Sequence, residues 1–327
     1  MLKRFIFSLL LMAGLLGACT GTPAEPSPEA LEPVRIVMGY RPDIQFAPLY
    51  VAQELGYFEE AGFDVTFEHM AETEAAQLVG VGEIPFAIVS GEQVLLAREQ
   101  GIPIVYVMAW WQDYPVGIAA RIESGIQVPE DLPGRRVGIP ALYGASYIGY
   151  EAIMRAAGVP SESVQLDVIG YSQVETLYQE QADAVVVYVN NEPLQLQSLG
   201  VDVNLMRVSD YVHLIGNGLI VSEEALQTDP GRVGRMVQAF LRGVESTLED
   251  ADQAFEISAL YVDGLLDADV PVQQNILTES MRFWEGNPLG YSDPQAWENM
   301  QAVLLSMQYL QGEQDLTGAY SNQFIAE

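Results

Sequence analysis

Lysine is almost missing from this sequence: Lys3 is the only one among 327 residues, and every other cation is an arginine. Chemistry that needs a lysine in the folded body, such as a Schiff base or a phosphate-cradling P-loop, is therefore excluded, because Lys3 lies in a segment expected to be removed. Cysteine is limited to Cys19, which rules out an intrachain disulfide and a cysteine-based zinc site. The two histidines, His69 and His213, stand alone without H-x-x-x-H or similar spacing, so no metal site is expected. Cations are scarce overall, with 14 basic against 45 acidic residues and a formal net charge of −31. Such a field repels phosphate backbones, and nucleic acid is not expected as a partner. Long apolar runs are absent beyond the amino terminus, so the chain is expected to be anchored to a membrane rather than to span it. With 49% apolar and only 18% charged residues, the body has ample material for a buried core.

The amino terminus reads MLKRFIFSLLLMAGLLGACT. Lys3 and Arg4 precede an apolar stretch from Phe5 to Leu16 that is short for a membrane span. Leu16-Gly17-Ala18-Cys19 resembles the lipobox of bacterial lipoproteins, which implies a signal peptide over 1–18 and a lipid on the Cys19 thiol. Cleavage there leaves 12 basic and 45 acidic residues, a net charge of 12 − 45 = −33. Residues 19–33 then form a proline-rich tether, with four prolines between Thr20 and Pro33 and no apolar periodicity. At roughly 3.1 Å per residue it would hold the body up to roughly 40 Å from the membrane. The expected location is the extracytoplasmic face of a cell membrane.

From Val34 onward, short β-branched runs alternate with helical patterns. VRIVMGY (34–40), DVTFEHM (64–70), PFAIVS (85–90) and PIVYVMAW (103–110) read as strands. Helices are expected at 46–54, 72–80 and from Gly91 to Gly101. PEDLPGRRVGIP (129–140) opens a second unit, in which GRRVGIP, SVQLDVIG, ADAVVVYV and VDVNLMRV supply four more strands. This is the rhythm of α/β lobes. After residue 222 only helical patterns remain, beginning with Asp229 as a cap before Pro230. The organisation expected is lobe 1 over 34–120 and 219–327, lobe 2 over 121–218, and crossings near Gly117–Arg121 and Gly216–Ser222.

GYRPDIQFAPLYVAQELGYFEEAGFDV (39–65) and ADAVVVYVNNEPLQL (182–196) resemble two signatures of bacterial solute-binding proteins that serve ABC importers. These are the group handling thiamine-pyrimidine precursors, alkanesulfonates and related compounds. PDIQFAP, SGEQ, YGASY and YVNNEP together are most similar to its riboflavin-binding lipoprotein branch. The resemblance implies the two-lobed type II periplasmic-binding-protein fold, or Venus flytrap, with a helical carboxyl-terminal tail. It also implies one small ligand closed between the lobes and delivered to an ABC permease with its ATPase. Relatives of this fold include a pyrimidine synthase using a pyridoxal cofactor held by lysine. The mature chain has no lysine, so neither that cofactor nor enzymatic activity is expected.

Ligands in open α/β sheets sit beyond the carboxyl ends of the strands, so the loops that follow strands hold the candidates. The first loop offers Tyr40, Asp43 and Gln45, although Asp43 also suits a helix cap. Ser90 and Glu92 flank Gly91 at a helix start, where free N–H groups can face a carbonyl, although Ser90 there could serve only as a cap. Trp111 and Gln112 follow the next strand. Neighbours on a strand face opposite ways, so one of Trp110 and Trp111 should be core and Trp111 is taken as facing the cleft. In the second lobe, Tyr143, Ser146 and Tyr147 stand beside a helix start. Gly144-Ala145-Ser146 approaches a nucleophile elbow, but Ile148 replaces its last glycine and no histidine is spaced to serve Ser146. Tyr188, Asn190, Asn191 and Glu192 follow a strand; Asn-Asn before Glu-Pro is also good turn chemistry. Arg41 is the only cation among these loops. Aromatic rings, amides and acids without cations suit a flat, uncharged heterocycle with hydroxyls, and riboflavin has all of these parts. A flavin relative, a thiamine pyrimidine precursor, and a lipid-anchored sensor role fit the same residues.

Overall fold

The computed structural model describes residues 30–325; the signal peptide expected over 1–18, Cys19 and the expected tether as far as residue 29 lie outside the described residues. Ten strands follow in order: β1 Glu32–Met38, β2 Phe63–His69, β3 Phe86–Ser90, β4 Ile104–Ala109, β5 Val116–Arg121, β6 Arg136–Ile139, β7 Gln165–Val168, β8 Ala184–Tyr188, β9 Val203–Arg207 and β10 Asn217–Ser222. They form two five-stranded sheets, ordered β2-β1-β3-β10-β4 and β7-β6-β8-β5-β9. Their character follows their place. β3, β4 and β10 are buried along their whole length and read as continuous apolar runs, whereas the edge strand β2 begins with strict alternation, Phe63 in, Asp64 out, Val65 in. β1 starts two residues before Val34, and Pro33 is tolerated there because only β2 pairs with it at that point.

The two sheets share one plan. In each, three strands are parallel and the fourth position holds a strand antiparallel to both neighbours. That strand is the one that has just arrived from the other lobe: β10 in the first sheet and β5 in the second. The segments expected as crossings are therefore sheet strands, and the chain crosses at Trp110–Pro115 and Tyr211–Gly216 instead. Short apolar runs such as VGIAAR carry no periodicity that separates a buried strand from a linker. The two crossings are tied through His213, whose Nδ1 lies 3.1 Å from Asp113 and whose Nε2 lies 3.3 Å from Asp293. The hydrogen bond to Asp113 holds the imidazole above its usual pKa.

Helices α1 Ala47–Glu54, α2 Tyr57–Glu60, α3 Glu72–Gly80 and α4 Gly91–Glu99 accompany the first sheet. The second carries α5 Gly144–Ala156, α6 Gln173–Tyr178 and α7 Glu192–Ser198. The tail comprises α8 Glu223–Thr228, α9 Pro230–Glu249, α10 Ala251–Ser258, α11 Val270–Trp284 and α12 Pro294–Ser306. α9 starts where the Asp229 carboxylate accepts from Arg232 N at 2.9 Å, with Pro230 at its first position. Its stripe of Val233, Met236, Val237, Phe240 and Val244 buries against the first lobe. The approach to α1 is close because Gly243 has no side chain: a Cβ there would sit 2.2 Å from the Pro48 carbonyl.

Candidate functional site

The carboxyl ends of both sheets face one another across a cavity of about 420 Å³. Each lobe contributes through its strand-following loops. β1 leads into Tyr40, held at φ 62°, and into a 3₁₀ turn carrying Gln45 and Phe46. The Asp43 carboxylate caps that turn, accepting from Gln45 N at 3.1 Å and from Gln45 Nε2 at 3.0 Å. It therefore aims Gln45 at the cavity rather than lining it; its burial raises its pKa. The second lobe supplies Tyr143 and Ser146 at the start of α5, and Tyr188, Asn191 and Glu192 where β8 gives way to α7. Of the residues singled out from sequence, Tyr40, Gln45, Trp111, Tyr143, Ser146, Tyr188, Asn191 and Glu192 line this cavity.

Trp110 and Trp111 line it together. The expected alternation does not apply, because β4 ends at Ala109 and both indoles lie on the crossing. Each is only 2% exposed, and their rings meet edge to face at 5.6 Å. Trp111 also stands 6.4 Å from the Tyr188 ring of the other lobe.

Five more of the sequence candidates are held elsewhere. Gln112 is turned toward the tail: its Nε2 donates to the Ala109 carbonyl at 3.1 Å and its backbone N–H to Phe283 at 2.7 Å. Tyr147 faces away from the cavity, packed on the apolar core beside Glu151. Asn190 is fully buried and bolts the lobes together, donating from Nδ2 to Gln45 Oε1 at 3.0 Å and to Ser280 Oγ of α11 at 2.8 Å. Ser90 also lies behind the wall, with Glu92, because α4 is buried along most of its length.

Ser90 and Glu92 belong to a chain of hydrogen bonds that starts at Glu72 on the cavity wall. Ser90 Oγ lies 2.6 Å from Glu72 Oε2 and 2.5 Å from Glu92 Oε1. Tyr114 Oη lies 3.1 Å from Glu92 Oε2 and 3.1 Å from the Ala145 carbonyl, in the other lobe. Each hydroxyl brings one proton to two short contacts, so the chain is complete only when the carboxyls bring protons too. Glu72 would then donate to Ser90, Ser90 to Glu92, Glu92 to Tyr114, and Tyr114 to Ala145. Burial is the main force raising the Glu72 pKa to about 7, and the neighbouring Glu92 raises it further. Glu92 is also raised by burial. Glu192, whose carboxylate accepts from Tyr188 N at 2.9 Å, is pushed up to about 7 by its burial. Among the described residues no arginine, lysine or histidine lines the cavity.

Several lining residues escaped the sequence reading, chiefly Glu72, Tyr171, Gln173 and Asn217. The first three follow β2 and β7, so the strand-end rule applied to those loops would have found them. Asn217 opens β10, a strand that could not be told from a linker. Trp110 and Asn217 each keep a buried side-chain atom, Nε1 and Oδ1, without a partner among the described residues.

Comparison with known proteins gives a consistent result. The family described as NMT1/THI5 like matches residues 43–254. The riboflavin-binding protein RibY of Chloroflexus aurantiacus is 33% identical over 316 residues, covering 94% of this chain and 90% of that protein. A formylaminopyrimidine-binding protein of Halalkalibacterium halodurans is 31% identical, covering 91% and 92% of the two chains. Among solved structures, the periplasmic aliphatic sulphonate binding protein SsuA of Escherichia coli shares the fold with a TM-score of 0.72. Its sequence identity is 14%, over 88% of this chain and 97% of that one.

Proposed function

The chain belongs to the NMT1/THI5-like family, and from that premise we propose that it is the solute-binding protein of an ABC importer, capturing riboflavin or a close flavin between its lobes. The observation that carries the reading is the chemistry of the cavity. Indole and phenol rings wall it, amides and carboxyls line it, and no cation among the described residues does. A sulfonate or nitrate needs concentrated positive potential, which this wall lacks. A flat, neutral heterocycle instead gains about 1–3 kcal/mol for each ring it stacks upon. The unpartnered Trp110 Nε1 and Asn217 Oδ1 match a ligand edge that presents an acceptor beside a donor, as the imide of a flavin does. The mature chain has no lysine for a pyridoxal cofactor, and the two relatives that share 33% and 31% of its residues are named as binding proteins, so its role is capture rather than catalysis.

Titrating riboflavin with the body from about residue 30, which keeps all of β1, tests this. One flavin should bind per chain with quenching of its fluorescence by the surrounding rings, and Tyr188→Ala should weaken binding by about 1–3 kcal/mol. Tight binding of a formylaminopyrimidine with no flavin binding would replace the ligand by that of the second relative. Cys19 is proposed to carry a lipid that holds the body at the extracytoplasmic face, within reach of a permease and its ATPase. Cys19→Ala should leave ligand affinity unchanged while the body leaves the membrane fraction; a mutant that still sediments with membranes would end the lipoprotein reading. Should the neighbouring genes encode a membrane kinase or cyclase in place of a permease, the same clamshell serves a sensor.

A further inference from the structure

Beside the ring-walled cavity lies a second space of about 390 Å³ at the mouth of the cleft. Tyr40, Tyr171, Gln173, Asn191 and Glu192 line both, so the two chambers share a wall. At their border the Tyr40 and Tyr171 rings, one from each lobe, meet edge to face at 5.1 Å. The Arg41 guanidinium lies 5.2 Å from the centre of the Tyr40 ring and pairs with no carboxylate among the described residues.

Gln173 is the informative residue. It is only 4% exposed, it lines both chambers, and its side-chain amide makes no hydrogen bond within the described residues. Its amide atoms are not sealed off but open onto the two chambers, so they are free to hydrogen-bond a ligand there in place of water. Next to it, Gln195 Nε2 donates to Asn191 Oδ1 at 2.7 Å. This bond fixes both amides and leaves the Asn191 N–H groups and the Gln195 carbonyl to face the outer chamber. The outer wall thus presents donors from Arg41 and Asn191, acceptors from Gln195 and Glu192, and both kinds from Gln173. Alternating donors and acceptors complement a row of hydroxyls, each of which both gives and takes a hydrogen bond.

We propose that this outer chamber is a separate subsite for a neutral polyhydroxylated arm, so that the protein selects a flat heterocycle by its arm as well as by its ring. The inference rests on the flavin reading and extends it. A phosphorylated arm is disfavoured, because one arginine would face the phosphate against Glu175 and Glu192, which line the same chamber.

The test is a fluorescence titration with three probes: riboflavin, lumiflavin, which keeps the same isoalloxazine ring with a methyl in place of the arm, and flavin mononucleotide, which carries a phosphate on the arm. Riboflavin should bind at least roughly tenfold more tightly than either of the others, which is what one or two buried hydrogen bonds contribute. Gln173→Leu should reduce the preference of riboflavin over lumiflavin, and Gln195→Ala should do the same from the outer wall. Equal affinity for riboflavin and lumiflavin would overturn the subsite while leaving the flavin reading standing. Flavin mononucleotide binding as tightly as riboflavin would overturn the neutral-arm assignment. Failure of all three probes to bind would overturn the flavin reading itself, and the subsite with it.

Discussion

Trp110→Ala should lower the unfolding free energy by about 3–5 kcal/mol and abolish tight ligand binding. The indole is 2% exposed and lies between 5.6 and 5.9 Å from the rings of Phe46, Trp111, Phe240 and Trp284. Those neighbours come from the 3₁₀ turn, the crossing, α9 and α11, so one side chain joins the cavity wall to the core of the first lobe. Removing it forfeits buried area, the directional part of four ring contacts, and the floor on which Trp111 rests. Denaturant titration should show a lower midpoint with an unchanged slope. Tyr143→Ala provides the contrast: Tyr143 lines the same cavity but is 72% exposed, so its loss should change stability by no more than about 0.5 kcal/mol. If Trp110→Ala matched Tyr143→Ala in stability, Trp110 would not join the cavity wall to the core of the first lobe.

The second large effect concerns pH. Glu72 titrates near 4.5 when unfolded and at about 7 when folded, so the folded protein binds the extra proton. Its contribution to stability is fully present below about pH 4.5 and is lost as pH rises through about 7. Glu92 shifts in the same direction, and Glu192 does so over the same window. The groups facing Glu72 and Glu92 are each other, Ser90, Gln93, Asn217 and the phenols of Tyr106, Tyr114, Tyr171 and Tyr188, none of which is a cation. His213 adds to the trend: its raised folded pKa gives stability below the unfolded value that disappears as pH climbs through the folded one. The melting temperature should therefore fall from about pH 5 to about pH 8. Glu72→Gln should flatten that slope, since its amide can donate to Ser90 Oγ and accept from Asn217 without titrating, while the Ser90 backbone N–H loses its acceptor and stability falls at every pH. An infrared band of protonated carboxyl at neutral pH should be present in the wild type and weaker in Glu72→Gln. A melting temperature that rises over this range, or a variant with the wild-type slope and band, would show that the chain of hydrogen bonds carries no carboxyl proton.

Much of the architecture is legible in the sequence because periodicity speaks where one face is wet. α3 spans 72–80 as its pattern predicts, and the edge strand β2 shows its alternation. β5 and β10 are buried on both faces, and such short runs look the same in a strand and in a linker. The cavity was partly legible for a different reason. Strand ends converge in this topology, so Tyr40 and Tyr188 follow from strand position alone, and so would Glu72 and Tyr171. Which of those loop residues turns inward depends on three-dimensional partners with no sequence signal: Asp43 is turned onto its own helix cap, Asn190 onto Gln45 and Ser280, and Ser90 onto two carboxyls.

The exchange of strands between the sheets also sets an order of biogenesis. The second sheet is written in one uninterrupted stretch, from β5 at Val116 to β9 at Arg207. The first sheet cannot close until Asn217–Ser222 slides between β3 and β4, and Trp110 has no Phe240 or Trp284 to rest on until α9 and α11 have emerged. A chain delivered from its amino end thus starts the first lobe, completes the second, and returns to finish the first. Through that interval β3 and β4 present unpaired inner edges and apolar faces, the features that make a partly made domain prone to aggregate. The nascent first lobe is therefore the part of this protein most in need of a chaperone, and its exposure lasts as long as the second lobe takes to appear.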